Sequence, residues 1–453
     1  METRETGAAI ETPLAAMHKD SGATLGTWFG CVLPDHWIDP REEQEFAPKS
    51  VALVDKNCLA YLSFTGPDRV RYLNAILTNN IKDLQVGQGN SSLLLNPQGH
   101  ILAEVETYVL PESLFCLSYA MIRERLIEVI EKYIIMDDVT LTDESQRYGA
   151  LAIEGPRAAD VVRELTGIDL LKFTELSRRE ATVASIPCLV KRRSPGGVAG
   201  CEFLVERGEL KNLWQTLSES VKKHGGGPMG YAALSAQRLA QGVPWFGYDF
   251  GEKQIPHEAG LQDSHISYTK GCYTGQEIVE RVRSRGQVNR RRVDLIFDSA
   301  GVPVAGETLT VDGKEVGFVT RAAVPSFLTH AIGMGYVRKD HNALGSTLKW
   351  SRGTAVVAKF PGVLYGMDLN RSRLQITRSL LASFIERAVT GHLEENEWSD
   401  FAVNHYHDEK MENARRECVR IFSAKTNDDI PRLEKTEIDR LNFLASDLRS
   451  SKP

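Results

Sequence analysis

Two stretches of this chain repeat one local grammar, and that repetition limits the folds open to it. Ala60-Tyr61-Leu62-Ser63-Phe64-Thr65-Gly66-Pro67 runs into Asp68–Leu77, and Gly149-Ala150-Leu151-Ala152-Ile153-Glu154-Gly155-Pro156 runs into Arg157–Leu165. Each reads as a strand closed by Gly-Pro, then a helix with proline in its first turn, where the missing N–H costs nothing. Between them, Ser92–Leu95, the turn Asn96-Pro97-Gln98-Gly99 and His100–Leu110 predict a hairpin, and Met121–Tyr133 a helix. Leu210, Leu213, Trp214, Leu217 and Val221 recur at helical spacing before Gly225-Gly226-Gly227, which is the stripe of a core-facing helix.

The pattern changes at Arg291. Short β-branched runs follow, punctuated by glycine and proline: Val293–Phe297, Thr308–Val311, Lys314–Val319, Ile332–Tyr336 and Ala355–Phe360. Their spacing predicts a small antiparallel barrel. Of the 37 glycines only Gly391 lies beyond Met367, where the chain turns charged and helical. Leu374, Leu381, Phe384, Ile385 and Ala388, then Met411, Ala414, Cys418 and Ile421, then Leu433, Ile438, Leu441 and Leu444 predict an all-α tail of about three helices. At 453 residues the chain is too long for one ordinary core.

A net charge of -6 gives no global attraction to nucleic acid or anionic membrane. No run approaches the roughly 18 apolar residues of a membrane helix, and Met1–Asp20 is not a basic-then-apolar leader, so a cytoplasmic protein is expected. The seven cysteines show neither Cys-x-x-Cys nor a zinc spacing, which predicts reduced thiols and no protein-built metal site. Phosphate-binding glycine loops are absent as well.

Chemistry concentrates in four places. In Lys270-Gly271-Cys272-Tyr273-Thr274-Gly275-Gln276-Glu277 one thiol sits beside a lysine and ahead of Arg281 and Arg283, cations that would favour its thiolate if the fold turned them toward it. Asn96–Glu104 presents a carboxylate, Glu104, on the strand after a tight turn, with Tyr108 on the same face. Trp245, Phe246, Tyr248 and Phe250 among glycines make either a stacking slot for a heteroaromatic ring or a packed joint between domains. Arg281, Arg283, Arg285, Arg290, Arg291 and Arg292 form the one concentrated positive stretch, suited to a polyanionic ligand tail or an RNA backbone.

The run Lys270–Glu277 resembles the signature of the YgfZ-type folate-binding proteins, relatives of the glycine-cleavage aminomethyltransferase or T-protein. Thr65–Asp68, Leu95–Gly99, Ile255–Leu261, Arg290–Val293, Glu315–Thr320 and Ile332–Val337 are similar to further stretches of that superfamily, over about residues 30 to 367. The resemblance implies an α+β cloverleaf: two intertwined α+β subdomains over residues 1–289, a barrel over 290–367, and outside it the helical extension 368–453. It implies tetrahydrofolate, or a one-carbon derivative, in a central channel. Cys272 and Lys270 would then be the reactive groups, with Glu104, Tyr108, Tyr273, Gln276, Glu277 and Arg291 shaping the folate site. It also implies an accessory role in iron–sulfur cluster assembly or repair, with iron–sulfur proteins or their assembly factors as partners.

Two departures bear on activity. Aminomethyltransferases carry paired aspartates after the turn where this chain has Ala103-Glu104, and a folate-contacting glutamate where this chain has Ala240 in Arg238-Leu239-Ala240-Gln241-Gly242. Both argue against glycine cleavage. The accessory role is therefore the leading expectation, with Cys272 as nucleophile, transient ligand or redox thiol. A folate-dependent one-carbon transferase or demethylase using Glu104 as acid/base is the enzymatic alternative, a folate-binding scaffold the non-enzymatic one, and RNA binding through the arginines the remotest.

Overall fold

The computed structural model describes residues 9–360 apart from 196, 197, 287, 299 and 300, and beyond them 385, 389, 413, 414, 416–418, 420, 421 and 435–450. The chain divides into compact units at Phe360/Pro361. An antiparallel five-stranded sheet runs in the order Gly89–Leu95, Ile101–Val109, Leu114–Tyr119, Leu59–Thr65, Thr140–Asp143. A six-stranded sheet runs Arg178–Val183, Ile186–Arg192, Gly200–Glu206, Tyr148–Glu154, Ala52–Asp55, Gly227–Pro228, antiparallel except for its last pair.

The two sheets repeat one topology, as the Gly-Pro grammar suggests. In each, the Gly-Pro strand leads into a helix, Arg69–Ile76 or Ala158–Thr166, and the next three strands fold back so that the third pairs with the first. The helices begin two residues after Pro67 and Pro156, so the prolines shape the approach to the first turn and do not lie within it. Gly66 and Gly155 take positive φ, and a Cβ on either would fall 2.2 or 2.3 Å from the carbonyl oxygen of Asp138 or Ser50. Glycine is thus required at both strand exits.

Each sheet has an outer face under helices. Leu213, Leu217 and Val221 of the helix Leu210–Lys223 pack with Leu151, Ile153, Phe203 and Val205, and Leu73 and Ile76 pack with Leu62, Phe64, Ala103 and Val105. A fully buried aliphatic side chain contributes about 1.5–3 kcal/mol, so these layers hold the frame. The inner faces meet one another, with Tyr61, Tyr108, Phe115 and Leu117 of one sheet against Ala150 and the nearby Leu176. A three-stranded sheet, Ile10–Glu11, Cys31–His36 and Thr24–Trp28, completes the region.

Residues 290–358 close into an antiparallel six-stranded barrel, ordered Arg290–Phe297, Ile332–Arg338, Lys314–Ala323, Thr308–Val311, Thr347–Trp350, Gly353–Ala358. Five match predicted runs. The sixth, Thr347–Trp350, has only four residues and alternates too briefly to stand out. Of the four aromatic residues, Trp245, Phe246 and Phe250 are buried and pack with Phe29, Tyr119 and Tyr231, which makes this cluster a packed joint. Asp249 ties that joint to the barrel, accepting from Arg321 Nη2 at 2.6 Å and Thr320 Oγ1 at 2.8 Å.

In the tail, Lys435–Ser450 is a helix on which Leu441 and Ala445 are buried, and Ala414, Cys418 and Ile421 are buried too. Most of the first predicted stripe, together with Met411 and Leu433, lies outside the described residues. Among the described residues no helix is long and apolar enough to cross a membrane.

Candidate functional site

The turn that precedes Glu104 is built by Asn96, whose Oδ1 accepts from His100 N at 2.9 Å and whose carbonyl accepts from Gly99 N at 2.9 Å. Past a register shift opposite Leu94 and Leu95, the following strand alternates from Ala103 onward. Ala103 and Val105 enter the core under the helices, while Glu104, Glu106 and Tyr108 project to the inner face. Position 103 is therefore a core position in this chain, and 104 is the one that presents an acid.

The cysteine run packs directly on that turn. Gly275 caps the helix Gln276–Arg285 with φ of 81°, and a Cβ on it would sit 2.7 Å from the Asn96 carbonyl and 3.3 Å from Gly99 Cα. In return, a Cβ on Gly99 would meet Ile278 at 2.9 Å. Tyr273 is buried among Leu93, Leu95, Ile101 and Phe246, so the two motifs share one small core. Lys270 points elsewhere: its Nζ donates to the carbonyls of Asn74 and Leu77 at 2.5 Å and Asn79 at 3.0 Å. Burial lowers its pKa to about 8, yet only the ammonium can serve three acceptors, so Lys270 clamps the end of the helix Arg69–Ile76. Its expected role beside the thiol does not follow from that geometry.

Cys272 is exposed, whereas the other six cysteines are buried. Arg281 pairs with Glu277 at 2.6 Å and Arg283 lies 4.2 Å over the Tyr268 ring, so both expected cations have partners of their own. Gln276 is half-buried, while Glu277 and Arg291 lie on the surface. Arg290 bonds Glu258 at 3.1 Å and Arg292 bonds the Ala259 carbonyl at 2.9 Å, which anchors the barrel's first strand. The arginine stretch is thus partly structural.

The inner face holds charges that sequence reasoning missed. Glu106 accepts from Tyr108 Oη and Lys191 Nζ, each at 2.8 Å, and forms an ion pair with Arg193 Nε at 3.0 Å. Lys191 Nζ also reaches Glu202 at 2.6 Å. Burial opposes ionisation of Glu106, but the Lys191 and Arg193 cations outweigh it and hold the carboxyl far below the usual range. Arg178 lies 5.0 Å over the Tyr108 ring, and burial lowers it to about 10. These groups surround a cavity of about 20 Å³ between the sheets, lined by Tyr108, Arg178, Lys191 and Glu202. A signal was present, since Lys191 and Glu202 are charges within strands that are otherwise apolar up to their last residues, Arg192 and Glu206. Tyr108 is buried within this cluster, which removes it from the accessible surface.

Glu104 has a different partner. Its Oε1 lies 3.1 Å from His265 Nε2, and His265 Nδ1 lies 2.7 Å from Ser264 Oγ. His265 is anchored through its carbonyl, which accepts from Thr78 Oγ1 at 2.7 Å. Neither His265 nor Ser264 belongs to a motif that sequence reasoning singled out.

Residues 14–265 match the GCVT N-terminal domain and residues 290–360 the glycine cleavage T-protein C-terminal barrel domain. Among curated relatives, the chain is 27% identical over 344 residues to an aminomethyltransferase of Streptomyces avermitilis, covering 75% of this chain and 92% of that protein. It is 26% identical over 343 residues to an aminomethyltransferase of Halothermothrix orenii, covering 75% and 94%. The crystal structure of the glycine cleavage system aminomethyltransferase T from Bartonella henselae superposes with a TM-score of 0.71 at 21% identity, covering 78% of this chain and 98% of that one, which supports the fold. With both domains matched in order and the first spanning more than half its length, the chain belongs to the glycine cleavage T-protein family.

Proposed function

We propose that this protein is a folate-dependent one-carbon transferase or demethylase in which Glu104 is the acid/base. The aminomethyltransferases of the family use tetrahydrofolate. One observation carries the reading: Glu104 is a carboxylate on the inner face, 16% exposed and held by a histidine. Its neighbour Glu106 is locked by two cations and cannot exchange protons in the same way. Of the two acids, Glu104 is the one with a free role.

The donor set suits a reduced pterin. On the turn before Ala240, the Gln237 side chain is buried with neither amide atom bonded among the described residues. Positions three apart share a helix face, so Gln237 offers an acceptor and a donor near the place of the missing glutamate. Glu104 and Gln237 are the residues we assign to the ring. Bound tetrahydrofolate would supply the nitrogens that accept a one-carbon unit. The reading is tested by forming methylene-tetrahydrofolate from an amine donor. Turnover should be lost in Glu104→Gln, and a fully active Glu104→Gln would end the proposal.

A second reading, the YgfZ-type accessory role in iron–sulfur cluster assembly, is favoured by Cys272 being the exposed thiol. In cells lacking the protein, Cys272→Ala should then fail to restore cluster-dependent enzymes. Full restoration would leave the thiol without a part in it.

A further inference from the structure

We infer that Glu104 exchanges protons with solvent through His265 and Ser264, which makes His265 a positioning and relay residue. The inference deepens the reading of Glu104 as acid/base and rests on it for its purpose, although the relay itself is a property of three side chains.

The geometry is a continuous chain across the protein surface. Ser264 is exposed, His265 is 8% exposed, and Glu104 lies on the inner face. Both links, 2.7 and 3.1 Å, are hydrogen-bond lengths. The ring is held from behind. His265 N donates to the Leu261 carbonyl at 3.0 Å, its own carbonyl accepts from Thr78 Oγ1, and Thr78 Oγ1 accepts from Leu93 N at 2.8 Å. Thr78 thereby locks His265 to the sheet that carries Glu104. Tyr119, on the neighbouring strand, and Arg193, just beyond a strand of the facing sheet, also feel the charge of Glu104.

With Glu104 ionised, the neutral ring carries its proton on Nε2 and gives that hydrogen bond to Oε1, while Nδ1 accepts from Ser264 Oγ–H. Proton delivery follows without charge left over. Water protonates Ser264 Oγ as its hydroxyl proton passes to Nδ1, and the Nε2 proton passes to Glu104 Oε1. The ring ends as the Nδ1–H tautomer, the carboxyl is neutral, and hydroxide is left in bulk water. The reverse sequence carries away a proton that Glu104 has taken.

The test uses the full chain with ¹⁵N-labelled histidine and needs no folate. Wild type should show His265 as the Nε2–H tautomer. Ser264→Ala, at an exposed position, should keep that tautomer but slow solvent exchange of the Nε2 proton at least tenfold. Glu104→Leu should lose the tautomer preference. An Nδ1–H ring in wild type, or exchange in Ser264→Ala within twofold of wild type, would overturn the relay. So would covalent labelling of Ser264 by a fluorophosphonate, since that hydroxyl would then be a nucleophile. If the relay signals appear while Glu104→Gln keeps full turnover, the relay stands and the one-carbon reading fails.

Discussion

Replacing Lys191 by methionine tests whether the inner face is held together by desolvated charge. Lys191 is the one cation touching both Glu106, at 2.8 Å, and Glu202, at 2.6 Å, and only 8% of its side chain is exposed. Methionine keeps the length and apolar stem but removes the charge. Glu106 retains Arg193 at 3.0 Å, whereas Glu202 is left with only the more distant influence of Lys56 and Arg193. Removing one partner of a buried ion pair costs about 3–5 kcal/mol, because the other charge stays buried and uncompensated. At about 2 °C per kcal/mol for a large folded unit, melting should fall by about 6–10 °C. The geometry also fixes which second change repairs the first. Lys191→Met with Glu202→Gln should recover at least about 2 kcal/mol, because the stranded charge is gone. Lys191→Met with Glu106→Gln should recover less, since Arg193 then loses its nearer carboxylate and keeps only Glu175 at 3.6 Å. Calorimetry or denaturant melts of the wild type, the single and both double variants would decide it. A Lys191→Met melt within about 1 kcal/mol of wild type, or equal rescue by both second changes, would refute the reasoning.

Asp294 should make stability fall as pH rises. Burial raises its pKa to about 6 against the pull of Arg292 and the Phe360 N–H, so the folded state holds an extra proton above the unfolded value of about 3.9. The contribution is complete below about pH 4 and lost through about pH 6, a change of about 3 kcal/mol, seen as the wild type weakening relative to Asp294→Asn between pH 4 and 7.5 in urea melts. Gly275→Ala should cost about 2–4 kcal/mol, from left-handed backbone plus a Cβ 2.7 Å from the Asn96 carbonyl, and a midpoint shift under about 0.5 kcal/mol would contradict the close approach. A thiol reagent should titrate one cysteine in the native protein and seven after denaturation, because burial pushes Cys31 and Cys116 up to about 12 and Cys188 to about 11 while Cys272 is exposed.

What could be read from residues alone was whatever depends on near neighbours in the chain. Gly66-Pro67 and Gly155-Pro156 announce a strand exit because backbone sterics demand glycine there, and the barrel runs show their period of two within a few residues. The Asn96 turn and the Cys272 run were each legible, but that Gly99 meets Ile278 and Gly275 meets Asn96 depends on packing across about 180 residues of chain. The clamp made by Lys270 was hidden for a simple reason. Backbone carbonyls carry no residue identity, so no sequence pattern points to them as partners. His265 was invisible because Glu104 meets it only once the short helix Gln262–His265 lies against the sheet.

The duplicated topology has a consequence for self-recognition. The strands Ile101–Val109 and Ile186–Arg192 occupy the same place in their sheets, and at the sixth position of each stand Glu106 and Lys191. Had both halves kept the same charge there, two copies of one half would fit each other no worse than the two different halves do. With opposite charges, pairing of like halves sets carboxylate against carboxylate or ammonium against ammonium in a buried place, at a cost of several kcal/mol. The two halves are thereby each other's preferred mates, and pairing of two like halves is disfavoured.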